Sequence, residues 1–174
     1  AKRYGAGAGG TRNISGTSVT HVSLENMLAK KHKKQAALLF TSGYVANEAS
    51  LYTLARYLPD CVVFSDAGNH ASMIRGIQNS KATKEVFAHN SVKDLEEKLI
   101  KHAHAKSKLV AVESLYSMDG DFAPLKEITA LAKKHGALLY VDEVHAVGLY
   151  GPNGMGCVEA LGLEDDVDIV QANF

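Results

Sequence analysis

The chain has 174 residues, 46% hydrophobic and 22% charged, which is enough for one ordinary domain with a real core. Its 19 basic and 19 acidic side chains cancel to a formal net charge of zero, which argues against a general binder of nucleic acid or other polyanions. The two cysteines, Cys61 and Cys157, stand far apart without metal-ligand spacing and read as free thiols of a reducing compartment, and no apolar stretch reaches membrane-spanning length.

The chain opens on YGAGAGGTRNISGTS, residues 4–18, in which Gly5, Gly7 and Gly10 satisfy the spacing G-x-G-x-x-G. That spacing cradles a dinucleotide pyrophosphate where a strand enters the turn and a helix leaves it. Here only AKRY precedes the glycines, and polar, β-branched TRNISGTS comes after them, so the glycines answer some other demand. Starting at Ala1 inside an irregular segment, the sequence reads as a stretch of a longer protein, with no signal or transit segment in view.

Next, HVSLENMLAKKHK places Leu24, Met27, Leu28 and Lys31 at i, i+3, i+4 and i+7, which predicts a short amphipathic helix whose AKKHKK end is solvated. A rhythm then begins. Apolar runs AALLF (36–40), CVVFSD (61–66), EVFAHN (85–90), KLVAVES (108–114), ALLYVDEVH (137–145) and VDIVQANF (167–174) read as strands. Between them stand the helical patterns YVANEASLYTLARYL, AGNHASMIRGIQNS, VKDLEEKLIKHA, with Leu95, Leu99 and Ala103 on one face, and LKEITALAKKHG. Short apolar strands alternating with helices predict an α/β fold, a three-layer α/β/α arrangement with a mainly parallel sheet, as one domain or part of one.

The strand ends carry the chemical information. VVFSD ends in Ser65 and Asp66, VAVES in Glu113 and Ser114, and LLYVDEVH in Asp142, Glu143 and His145. Ligands of open parallel sheets sit outside the carboxyl ends of the strands, so these acids are expected to aim at one crevice, although each alone would serve equally well as a cap. TSG before a helix supplies N–H groups and hydroxyls at a positive helix end, a small phosphate cradle.

LLFTSGYVAN, SDAGNHASMIRGIQNS, ESLYSMDGDFAPL and YVDEVHAVGLYGPNG, in this order and over nearly the whole chain, resemble the α-oxoamine synthases, fold type I enzymes that use pyridoxal 5'-phosphate. The block GAGAGGTRNISGTS further resembles the branch that condenses glycine with succinyl-CoA to 5-aminolevulinate, coenzyme A and carbon dioxide; the sister branches lack TRNI. The resemblance implies catalytic roles for His70, Asp142 and His145: Asp142 facing the pyridine nitrogen, His70 stacked on the ring, and His145 with Ser117 on the phenolic oxygen. It implies backbone contacts from Gly43 and Tyr44 to the phosphate and a supporting carboxylate at Glu113. Thr11, Arg12 and Asn13 would line the acyl-CoA pocket, where polar donors would reject a longer apolar acyl chain. Ser65 and Lys84 fall at substrate-contact positions, and Lys84 reads equally well as a solvated surface lysine. No metal ligand is implied. The expected partners are glycine, succinyl-CoA and a second copy of the chain, in a homodimer with shared active sites, in the mitochondrial matrix of a eukaryote or the cytoplasm of a bacterium.

The family's cofactor-carrying lysine would come after the strand in VDIVQANF and is not in this stretch, and VQANF differs from the GTLGK approach of the glycine-using branch. Residues 1–174 are therefore expected to be part of the cofactor-binding large domain, inactive alone. Two alternatives stay open: another α-oxoamine synthase, or a lysine-free, non-catalytic partner subunit.

Overall fold

A computed structural model describes Arg3 and residues 5–173 in two compact units, Ala1–Leu39 and Phe40–Phe174. Tyr4, where the glycine-rich segment starts, and Phe174, where the last apolar run ends, lie outside the described residues.

In the first unit no strand precedes the glycines among the described residues, and the glycines lead into a single turn of π-helix, Arg12–Gly16. Its N–H groups converge on one acceptor: Ile14, Ser15 and Gly16 all donate to the Thr11 carbonyl, at 3.1, 3.1 and 2.7 Å. A Cβ at Gly16 would run into the carbonyl of Gly10, so this turn requires glycine there. Helix α1 (Val19–Lys31) starts at Ser18, whose hydroxyl accepts from the His21 N–H while the His21 ring accepts from the Ser18 N–H. The helix forms where the periodicity predicts it. Within its unit, however, Leu24 and Met27 stay 38% and 50% exposed, and Ala29 is the residue buried. The apolar run 36–40 is not a strand: the Leu39 N–H goes to the Glu25 carboxylate at 2.9 Å instead of to a ladder.

The second unit holds α2 (Gly43–Tyr57), β1 (Cys61–Asp66), α3 (Ala71–Ser80), β2 (Thr83–Phe87), α4 (Val92–Lys101), β3 (Ser107–Glu113), α5 (Leu125–His135), β4 (Leu138–Asp142), the single turn α6 (Cys157–Ala160) and β5 (Ile169–Gln171). The strands pair in the order β2-β1-β3-β4-β5, every pair parallel. Side chains alternate across a strand, and the core divides accordingly. Val63, Leu109, Ala111 and Tyr140 pack with Leu51 and Ala55 of α2 and with Met73 and Ile77 of α3. Val62, Phe64, Val110, Val112, Leu139 and Val141 pack with Leu95 and Leu99 of α4 and with Leu125 and Ile128 of α5. Burial on both faces explains why the strands read as continuous apolar runs, and the result is the three-layer fold the sequence predicts.

Two details position the site. A Cβ on Gly76 would stand 2.6 Å from the backbone oxygen of Glu48, so α3 approaches α2 to backbone contact where the α3 residue has no side chain. Helix α4 stops at Lys101, which leaves Ala103 exposed in the next turn; Ala105 fills the core place that the helical pattern assigns to Ala103.

Candidate functional site

All five strands run the same way, so Ser65, Asp66, Glu113, Ser114, Asp142 and Glu143 gather at one edge of the sheet. They do not share one crevice. Period-two alternation puts Ser65, Glu113 and Asp142 on the α2/α3 face, in phase with Val63, Ala111 and Tyr140. Asp66 and Glu143 turn to the other side. This corrects the expectation of a single acid-lined cleft.

Asp66 is buried and accepts from the backbone N–H groups of Gly68 and Asn90, at 2.7 and 2.9 Å. It also holds His89 Nδ1 at 2.7 Å, while His89 Nε2 reaches Asp121 at 3.0 Å. The bond to Asp66, chiefly, raises the His89 pKa against the opposing effect of its own burial. His89, Asp119 and Asp121 bring ligand atoms within 4.8 Å of one another, but both nitrogens of His89 are already committed to carboxylates.

Glu143 is fully buried and satisfied. Its Oε2 accepts from the Ser114 hydroxyl at 2.7 Å and the Cys157 N–H at 3.0 Å, and its Oε1 accepts from the Val158 N–H at 2.6 Å. Burial pushes its pKa up and these donors restrain the rise. Gly156, at φ 100°, has no room for a Cβ against this carboxylate.

On the α2/α3 face the arrangement differs. Glu113 and Asp142 are register partners on neighbouring strands, two buried acids side by side. Burial, with the Asp142 charge added, pushes the Glu113 carboxyl up to about 7. Its Oε1 accepts from the His70 N–H at 2.6 Å, and its Oε2 finds no hydrogen-bond partner among the described residues. Burial also raises the Asp142 pKa, opposed by the Asn47 side chain, by the Val144 N–H and by the charges of His70 and His145. Asn47 Nδ2 donates to Asp142 Oδ2 at 2.7 Å and the Val144 N–H donates to Oδ1 at 2.9 Å.

The sequence-assigned residues take their places around this pair. His70 caps the N-terminus of α3 and is exposed; its Nδ1 accepts from the Ser72 N–H at 3.2 Å and meets the Ser72 hydroxyl at 2.7 Å. His145 is exposed in the turn that leaves β4. Gly43 and Tyr44 form the first turn of α2, where N–H groups lack intrahelical acceptors. A Cβ on Gly43 would meet the Asn173 side chain at 2.6 Å, and the Tyr44 ring stands edge-on to His70 at 6.3 Å. Ser117 is exposed on the hairpin between β3 and α5, whose ends are joined by a bridge between Leu115 and Phe122.

Two assigned residues stand apart from this group. Ser65 is buried and tied to its neighbours: its hydroxyl accepts from Asn69 Nδ2 at 2.9 Å and donates to the Asp66 carbonyl at 3.3 Å. Lys84 is exposed on the edge strand β2, opposite Val63. Thr11, Arg12 and Asn13 belong to the first unit, where Thr11 and Asn13 are exposed. Arg12 pairs with Glu25 at 2.9 Å and donates to the Thr17 hydroxyl at 3.0 Å. Although burial opposes it, the Leu39 N–H and Arg12 hold the Glu25 carboxyl below its ordinary range.

Sequence reasoning overlooks Asn47, Ser72 and Tyr140. Asn47 carries a signal: in GYVANEASL it falls within the buried stripe of Gly43, Ala46, Leu51 and Ala55, and a polar group there must find partners.

A buried acid flanked by imidazoles, at the carboxyl edge of a parallel sheet and on the same face as a helix N-terminus, suits a ligand with separated charges. The sequence model of the family described as aminotransferase class I and II matches residues 1–173, and the chain belongs to that family. Among its relatives, a 5-aminolevulinate synthase of Rhizobium meliloti (strain 1021) is 58% identical over 98% of this chain and 42% of its own length. A non-specific, mitochondrial 5-aminolevulinate synthase of Opsanus tau is 56% identical over 99% of this chain and 28% of its own. A structure of SPT with PLP superposes with a TM-score of 0.90 at 43% identity, over 97% of this chain and 42% of that one. The chain thus spans less than half the length of these relatives.

Proposed function

We propose that the second unit binds pyridoxal 5'-phosphate at the Asp142 edge, and that the full-length protein condenses glycine with succinyl-CoA to 5-aminolevulinate, coenzyme A and carbon dioxide. The observation that carries the reading is the Asp142 carboxylate: buried, at a strand tip, facing His70 and His145, and paired with no lysine or arginine among the described residues. A protonated ring nitrogen is a counter-charge of the right sign for it. The positive end of α2 on the same face fits the phosphate of such a group. The similarity to two 5-aminolevulinate synthases and to an SPT with PLP supports the same reading.

When bound, the cofactor supplies an electron sink that lets the glycine α-carbon release a proton. The residues supply the rest. Asp142 holds the proton at the ring nitrogen and so keeps the sink charged. His70 would cover one face of the ring, and His145 with Ser117 would bond its phenolic oxygen. The N–H groups of Gly43 and Tyr44 would hold the phosphate, and Glu113 braces His70 through its backbone N–H. Thr11, Arg12 and Asn13 meet the succinyl end and Lys84 contacts substrate, while the buried Ser65, its hydroxyl spent on Asn69 and Asp66, supports the strand tip instead. The assembly is a homodimer, mitochondrial in a eukaryote and cytoplasmic in a bacterium.

The test is coenzyme A release by the full-length protein. Release that needs glycine, prefers succinyl-CoA to longer acyl-CoAs and vanishes in Asp142→Asn is expected. No glycine-dependent release, from a protein that binds pyridoxal phosphate, would replace the enzyme with a non-catalytic partner subunit.

A further inference from the structure

Asn47 has none of the chemistry of the reaction, yet it links the acid, a hydroxyl and a phenol at the heart of the site. It is 3% exposed, on the first turns of α2. One N–H of its amide donates to Asp142 Oδ2 at 2.7 Å and the other to the Ser72 hydroxyl at 3.0 Å. Its oxygen accepts from the Tyr140 hydroxyl at 2.8 Å. The amide cannot be reversed, because that would set its carbonyl oxygen against the Asp142 carboxylate. Burial, chiefly, keeps Tyr140 a neutral hydroxyl that donates.

These contacts fix the direction of each bond. Ser72 accepts a hydrogen bond from Asn47, which leaves its own O–H to donate to His70 Nδ1, 2.7 Å away. The Ser72 N–H points at the same nitrogen. Nδ1 of His70 is therefore an acceptor, and the proton of the neutral ring sits on Nε2. One buried amide faces the ring-nitrogen acid on one side and the ring-covering imidazole on the other. We propose that Asn47 is a positioning residue that keeps Asp142 ionised and His70 in its Nε2–H form, and so sets cofactor affinity at acid pH.

This rests on the reading of Asp142 as the partner of pyridoxal phosphate. The charged or titratable groups whose electrostatics reach Asp142 are Glu113 from β3, Tyr140 from its own strand, Glu143 from the far face of the turn after it, His70 from the start of α3 and His145 from the loop after β4. Glu113 and Glu143 disfavour its charge, and the imidazoles favour it when protonated. From α2, Asn47 supplies a neutral donor that works at any pH.

The test measures pyridoxal phosphate dissociation constants from pH 5 to 8 in the full-length protein, with 15N NMR of the His70 ring as the second readout. Asn47→Ala is expected to weaken binding about 10-fold at neutral pH, the usual effect of removing a hydrogen bond to a buried charge. Its acid limb should move to higher pH by about one unit, because an Asp142 without its donor protonates sooner. The His70 tautomer should become mixed. Tyr140→Phe preserves the packing and frees the amide to rotate; it should move the same observables in the same direction, by about threefold. If Asn47→Ala does not fold, Tyr140→Phe decides alone. Affinity, pH profile and tautomer all unchanged, in a protein where Asp142→Asn abolishes binding, would overturn the role of Asn47 and leave the cofactor reading intact. Unchanged binding in Asp142→Asn would overturn both.

Discussion

Asp142 and Glu143 are neighbours in sequence, both buried, both raised in pKa by burial, and they do opposite things. Glu143 faces the α4/α5 side, where a hydroxyl and two backbone N–H groups fill both its oxygens. It fastens the chain after β4 to the start of α6 and has nothing left to offer a ligand. Asp142 faces the α2/α3 side with one side-chain donor and one backbone donor, beside a second acid and in view of two exposed imidazoles. The difference lies in the partners: a saturated carboxylate builds structure, and an under-saturated one is left to bind.

The largest expected effect breaks that comparison if it fails. Glu143→Leu strands three donors and should cost about 3 kcal/mol in chemical denaturation, because unsatisfied buried donors are expensive. Asp142→Asn, measured without cofactor, should stay within about 1 kcal/mol of the parent. Equal losses would mean that both acids are structural. Next comes Gly76→Ala. Its methyl would press on the Glu48 carbonyl and push α3 from α2, costing about 2 kcal/mol, the usual range for overpacking. It should also weaken cofactor binding, since Ser72 and Asn47 sit on the two helices it separates.

Smaller effects are read from pH. Glu113 is held near 7 in the folded protein against an ordinary 4.5, so between those values the folded state keeps a proton that the unfolded state has released. Stability therefore falls as pH rises across that window, and Glu113→Gln should remove most of the fall. On the opposite face His89 is raised above 6.5 by Asp66 and Asp121, so its contribution is complete below 6.5 and is lost as pH climbs through the folded value. His89→Gln should remove about 0.5 kcal/mol at pH 6 and almost nothing at pH 9, as fits a partly exposed histidine. A reversed slope in either variant would show that the charge states have been misread.

Much of this was legible in the sequence. Runs such as KLVAV and ALLYV announce strands covered on both faces, and they form β3 and β4 in a parallel sheet. AALLF has the same composition and is no strand, because composition does not say where the backbone N–H groups go and Leu39 finds Glu25. Asp142 and Glu113 were legible as strand-tip acids, and His70 through the family resemblance. The division of the edge into two faces was not: it depends on strand phase, which a list of terminal residues omits. Asn47 is the clearest omission, since its importance comes from partners 25 and 95 residues away in the chain.

Asp142 holding a proton on the cofactor's ring nitrogen is the claim on which the mechanism stands. The most direct measurement is 15N NMR of full-length protein loaded with ring-labelled pyridoxal phosphate at mildly alkaline pH. A protonated nitrogen in the parent that becomes unprotonated in Asp142→Asn, while Glu113→Gln leaves it protonated, is the predicted result. The same unprotonated signal in parent and Asp142→Asn would contradict it.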